Sequence, residues 1–137
     1  MTARVVIYSD DSSVRAAVKA ALGSKLAADL PVETTEFATA DALRQYIDQK
    51  DTKGQVRADL FILDGEAAPE GGLGVARQLK DEVFNCPPVL LVIGREQDNW
   101  LAAWSRAEET TIHPIDPFTL AKKVAKLLNS QLQISAN

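Results

Sequence analysis

Residues 59–64 read "DLFILD". Four consecutive apolar residues between two aspartates are too few for an ordinary helix and suit a strand buried on both faces. Two more runs share this character, "RVVIY" (4–8) and "VLLVIG" (89–94). None of the three alternates apolar with polar residues, as a strand with one wet face would. Helical stretches separate them. "DSSVRAAVKAALGSKLAA" (11–28) carries Val14, Ala17, Val18, Ala21 and Leu22 at helical spacing, with Asp11 or Ser12 able to cap it. "TADALRQYIDQK" (39–50), "LGVARQLKDEVF" (73–84) and "QDNWLAAWSRA" (97–107, capped by Asp98 or Asn99) are the next three. "DPFTLAKKVAKLLNSQL" (116–132) is the last, with Asp116 as N-cap, Pro117 in its first turn and "QISAN" as a frayed tail. "VETTEF" (32–37) and "ETTI" (109–112) complete a set of five strands.

Strict alternation of strand and helix predicts an α/β fold, a parallel sheet with five helices on its two faces. The three apolar runs belong at its centre, with 32–37 and 109–112 at or near the edges. The 137 residues form one domain, 1–137, with no repeat, low-complexity segment or linker. Hydrophobic residues make up 46% and charged residues 25%, with a net charge of −4, which lacks the basic footprint of a nucleic-acid binder. No apolar run approaches the roughly 20 residues that span a bilayer, so no membrane is expected. "MTARVVIYSDD" is not a signal peptide, and Cys86 has no partner cysteine, which together point to the cytoplasm. Cys86, in "FNCPPV", reads as an inert small core residue rather than a reactive thiol.

In an open parallel sheet the site lies beyond the carboxyl ends of the strands. Ser9, Asp10 and Asp11 follow the first strand, and Asp64, Gly65 and Glu66 close the third. Ile93 and Gly94 close the fourth, and His113 and Pro114, in "TTIHPIDP", follow the fifth. Acids therefore converge on one end of the sheet, with the chain's single histidine across from them. Such a cluster suits a hard cation such as Mg2+. Asp10 and Asp64 are the stronger candidates, because Asp11 is explained by helix capping. "GGLG" (71–74) follows no strand directly, so it reads as helix-start glycines rather than a phosphate loop.

The chain resembles a receiver domain of bacterial two-component response regulators over roughly residues 4–129. "VVIYSDDSSVRAAV" resembles the family's opening, "ADLFILDGEAAPEGGLGVARQLK" its phosphoacceptor segment, "PPVLLVIGR" its fourth strand and "IHPIDPFTLAKKVAKLL" its close. The resemblance implies a flavodoxin-like sheet of order 2-1-3-4-5, with Asp64 as phosphoacceptor. It also implies Mg2+ held by Asp10, Asp64 and the Glu66 backbone carbonyl, with Asp11 as a further candidate. A histidine kinase or small phosphodonor would supply the phosphoryl group. A protein partner would read the face made by the fourth helix, fifth strand and fifth helix. The departures fall on the working residues. Ser9 stands where the family has the first acid of its pair, Ile93 where it has Thr or Ser, His113 where it has Lys, and Thr110 where it has an aromatic. The proline after the phosphoacceptor comes one place late, at Pro69, and the Gly94–His113 stretch is about two residues short. A cis bond at His113–Pro114 is implied by the family's Lys-Pro.

His113 has a shorter reach than lysine and an unperturbed pKa of about 6.5, so it is a weaker fixed charge. Ile93 cannot donate to a phosphoryl oxygen, a loss of about 1–3 kcal/mol for a buried acceptor. Together these changes predict slow or absent phosphorylation and an impaired switch. His113 otherwise reads as a strand-end residue held by local hydrogen bonds. With no output segment after the last helix, the chain is expected to be a stand-alone receiver that acts through contacts rather than an enzyme. Trp100 and Trp104 share one face of the fourth helix. One is expected in the core and the other as an interface residue. The alternatives are a phosphorylation-independent adaptor, a small-ligand sensor and, most remote, an Asp-nucleophile phosphohydrolase. For the last, Glu66 stands where an aspartate is usual and the chain has no room for a cap. Oligomeric state is not legible.

Overall fold

The computed structural model describes residues 2–23, 25–26, 30–95 and 99–136. Its elements are β1 (Ala3–Tyr8), α1 (Ser12–Leu22), β2 (Lys25–Leu26), β3 (Leu30–Phe37), α2 (Ala40–Asp48) and β4 (Leu60–Asp64). They continue with α3 (Gly72–Glu82), β5 (Val89–Ile93), α4 (Asn99–Ser105), β6 (Glu109–Ile112) and α5 (Pro117–Ala136). The sheet order is β2-β3-β1-β4-β5-β6. Its five parallel strands, β3-β1-β4-β5-β6, have the predicted order 2-1-3-4-5. The three apolar runs are β1, β4 and β5, and they occupy the centre.

Successive side chains of these strands point to opposite faces, which makes two cores. Val6, Tyr8, Phe61, Leu63, Leu91 and Ile93 pack with Leu43 and Ile47 of α2 and Val75, Ala76 and Leu79 of α3. Val5, Ile7, Leu60, Ile62, Leu90 and Val92 pack with Val18 and Leu22 of α1 and Leu120, Val124 and Leu128 of α5.

Several boundaries differ from the sequence reading. The helix predicted over 11–28 stops at Leu22. Gly23 adopts φ +61° and donates its N–H to the Lys19 carbonyl. Only glycine takes such a φ freely, and the chain turns out of the helix there. Lys25 and Leu26 then pair antiparallel with β3, adding a short edge strand. The last helix runs to Ala136 instead of fraying after residue 132. Residues 131–136 contain no Gly or Pro to stop it. The Asp98 cap lies outside the described residues. α4 ends at Ser105, followed by Arg106 at φ +68°.

Caps settle the other helix starts. Asp11 Oδ1 accepts from the Ser13 N–H and hydroxyl, so Asp11 rather than Ser12 caps α1. Thr39 Oγ1 accepts from the Ala42 N–H at 3.1 Å and caps α2. Thr39→Ala should therefore lower stability by about 1 kcal/mol, read as a lower urea midpoint at unchanged slope. An unmoved midpoint would mean that the cap contributes nothing. Among the described residues no helix is long and apolar enough to cross a membrane.

Candidate functional site

Close packing fixes the ends of β4 and β5. The Gly65 N–H donates to the Val92 carbonyl at 2.7 Å. A Cβ at Gly65 would lie 2.8 Å from that oxygen, and one at Gly72 would lie 2.8 Å from the Asp64 backbone. The start of α3 therefore rests directly on the phosphoacceptor candidate. "GGLG" does begin a helix, with Gly71 at the N-cap and no side-chain cap.

Asp64 is only 4% exposed. Such a carboxylate needs partners, and it has three. Ser9 Oγ donates to Oδ2 at 2.7 Å, and the Glu66 N–H donates to Oδ1 at 2.9 Å. His113 Nε2 lies 2.9 Å from Oδ1. His113 comes from the end of β6, where its N–H donates to the Ile93 carbonyl, and its peptide bond to Pro114 is cis. Its ring bond is to a residue 49 positions away, so the reading of His113 as locally held does not stand. The buried Ser9 hydroxyl also accepts the Asp11 N–H at 3.1 Å. Ile93 is buried in the core on the α2–α3 side and brings no polar group. Among the described residues, no buried side-chain polar atom lacks a partner.

The loop between β4 and α3 is tied down on several sides. The Ala68 N–H donates to Asp10 Oδ1 at 3.2 Å, and the Tyr8 hydroxyl donates to the Glu70 carbonyl. The Glu70 carboxylate accepts from the Arg44 guanidinium, which holds Glu70 below the usual carboxylate range. Ala68–Pro69 is a second cis bond. These ties, and the Glu66 side chain lying against Gly94, were not read from the sequence. Pro69 was the one visible signal of an unusual loop there.

The donor set bears on Mg2+ directly. Asp11 is spent on the cap, and among the described residues no group of three or more His, Cys, Asp or Glu could hold a metal ion. What remains is Asp10, Asp64 and the Glu66 carbonyl. Mg2+ takes one or two carboxylates with water completing its shell, so Asp10, Asp64 and the Glu66 carbonyl are the groups that could hold it.

Both tryptophans are exposed, Trp100 by 69% and Trp104 by 50%, which overturns the expectation that one fills the core. α4 instead buries Ser105. Trp104 lies under the Arg77 guanidinium, 5.4 Å from its ring centre, and its carbonyl accepts from Arg77 at 2.8 Å. Ile112 is also partly exposed, and Thr110 is half-buried. Cys86 is half-buried and packs against the core rather than within it, and burial pushes its thiol pKa up, away from the reactive thiolate.

A parallel sheet of order 2-1-3-4-5 is the flavodoxin-like arrangement that receiver domains share, and here a buried aspartate closes its central strand. The comparisons agree. The chain is 48% identical over 128 residues to response regulatory proteins of two Mycobacterium tuberculosis strains, CDC 1551 / Oshkosh and ATCC 25618 / H37Rv. Each match covers 93% of this chain and 92% of the relative. The chain belongs to the response regulators. No protein-family model matches it. Its fold is similar to the CheY-like receiver domain from Methanospirillum hungatei JF-1, with TM-score 0.72 and 19% identity over 97% of this chain and 98% of that one. It is also similar to the signal receiver domain of a LuxO repressor protein from Vibrio parahaemolyticus, with TM-score 0.77 and 19% identity over 99% and 97%.

Proposed function

We propose that this response regulator is an atypical receiver. In this reading Asp64 accepts a phosphoryl group slowly and the signal leaves through protein contacts rather than catalytic turnover. The observation that carries it is the buried Asp64 carboxylate bonded at 2.9 Å to His113. That contact holds the carboxylate at the end of the central strand and supports reading Asp64 as the reacting group. To react, Asp64 must free an oxygen from Ser9, His113 or the Glu66 N–H. Once phosphorylated, the group meets an imidazole in place of a long ammonium and hydrocarbon from Ile93 in place of a hydroxyl. Both changes weaken the coupling of phosphate to shape. Mg2+, held weakly by Asp10, Asp64 and the Glu66 carbonyl, would screen phosphoryl charge when bound. The donor would be a histidine kinase or a small phosphodonor. Intact mass after incubation with acetyl phosphate and Mg2+ tests the reading. A phosphate-sized gain accumulating slowly supports it, and no gain after prolonged exposure overturns it in favour of a phosphorylation-independent adaptor.

The contact surface is read as the α4–β6–α5 face, extended by Trp100 and Trp104. Exposed tryptophans are the residues most enriched among interface hot spots. Each of Trp100→Ala and Trp104→Ala should weaken partner recovery in pull-downs by about tenfold or more, the loss expected of a hot spot. Unchanged recovery in both would remove α4 from the interface.

A further inference from the structure

A cleft of about 960 Å3 opens at the end of the sheet opposite Asp64, between the α2–β4 loop and the end of α3. Its floor is apolar, formed by Ile47, Val56, Ala58, Val75 and Leu79, all buried. At its base Arg4 and Asp59 neutralise each other. Phe84 stands on its rim, 90% exposed. Phe84 and Asn85 form a turn, and Asn85 takes φ +52°, a left-handed conformation that asparagine tolerates. An aromatic ring left in water therefore sits beside an apolar hollow on a single surface.

A closed two-fold pair asks for that arrangement, because one patch must carry both halves of the contact. The charges meet the same condition. On the α2 side of the cleft Lys50 and Lys53 outnumber Asp48, while Arg44 is engaged by Glu70. On the α3 side the charged residue is Glu82. A two-fold axis along the cleft sets each α3 wall over the α2 wall of the other copy. Glu82 then meets the lysines, and Phe84 meets the apolar floor. We propose that a second copy of this chain occupies the cleft, the Phe84 ring of each protomer entering the cleft of the other. The contact is confined to two helix ends and their loops, so it belongs to the small, weak class of interfaces and forms at high protein concentration. It lies at the far end of the sheet from Asp64 and does not depend on phosphorylation.

Sedimentation velocity over a concentration series tests this with wild type, Phe84→Ala, Lys53→Glu, Glu82→Lys and the double variant Lys53→Glu/Glu82→Lys. All three positions are exposed, so the fold is retained. Wild type should pass from monomer to dimer as concentration rises. Phe84→Ala should raise the dimer dissociation constant by at least about tenfold, since each dimer loses two buried rings. Each charge reversal alone should raise it by about three- to tenfold, and the double variant should recover most of that loss, because the exchanged charges pair again across the axis. A wild type that stays monomeric throughout would overturn the proposal and leave the cleft to a different occupant. A dimer of undiminished strength in Phe84→Ala would place self-association on another face and overturn it equally.

Discussion

Asp64→Ala should take up no phosphate from acetyl phosphate, at any exposure time that loads wild type. The aspartates near this end of the sheet are not equivalent. Asp11 is exposed and engaged with Ser13 at the start of α1, and Asp10 is exposed and engaged with the Ala68 N–H. Asp64 alone closes a central strand, is buried, and faces an imidazole at 2.9 Å. Its neighbours hold its carboxylate in one orientation, which the loss of the side chain removes. The variant also leaves the Ser9 hydroxyl and His113 Nε2 without their partner, so Asp64→Asn serves as a second test that keeps the shape. The measurement is intact mass, with circular dichroism to confirm folding. A phosphate-sized gain surviving in both variants would place the acceptor elsewhere and undo the assignment of the site.

Phe61→Ala should destabilise the fold by about 3–5 kcal/mol. Phe61 is fully buried in β4, paired with Val6 on one side and Val89 on the other. It packs in the core shared with α2 and α3. A cavity there cannot collapse cheaply, because both flanking strands are fixed by parallel pairing. The loss is a large share of the roughly 5–15 kcal/mol by which domains of this kind are stable. Urea unfolding would show a lower midpoint. Phe84→Ala is the control, since Phe84 is 90% exposed and should change stability by no more than about 0.5 kcal/mol. A Phe61→Ala loss below about 1 kcal/mol would mean that the sheet centre is not the packed core described here.

The sheet was legible because burial on both faces leaves a mark that does not depend on tertiary detail. Strands β1, β4 and β5 each hold four or five consecutive apolar residues, the mark of a parallel sheet covered on both faces. β2 was not legible, since two residues carry no period. Gly23 was there to be read as a helix end, but the apolar spacing on either side outweighed it. The tryptophans show a different limit. Their spacing put them on one face of a helix correctly, yet which face meets the core depends on how α4 sits, and α4 turned Ser105 inward.

The site was half legible. Asp64 and His113 could be placed together, because topology brings the ends of β4 and β6 to the same edge of the sheet. The direction of the Glu66 side chain could not, because nothing in "DGEAAPEGG" says that its carboxylate folds back over Gly94. Nor could the use of Asp10 as an anchor for the Ala68 N–H, since a capping acid, a metal ligand and a loop anchor look alike in sequence.

In the proposed reading, His113 in place of lysine keeps Asp64 a slow phosphoacceptor. The direct measurement is the rate of phosphate uptake by wild type and His113→Lys, side by side, at one pH and one acetyl phosphate concentration. A lysine brings a fixed positive charge to the incoming phosphoryl oxygens and frees Asp64 Oδ1 from the imidazole. The account predicts that His113→Lys loads about ten- to a hundredfold faster than wild type. Equal rates would contradict it and show that the imidazole at 2.9 Å has no hold on the chemistry of Asp64.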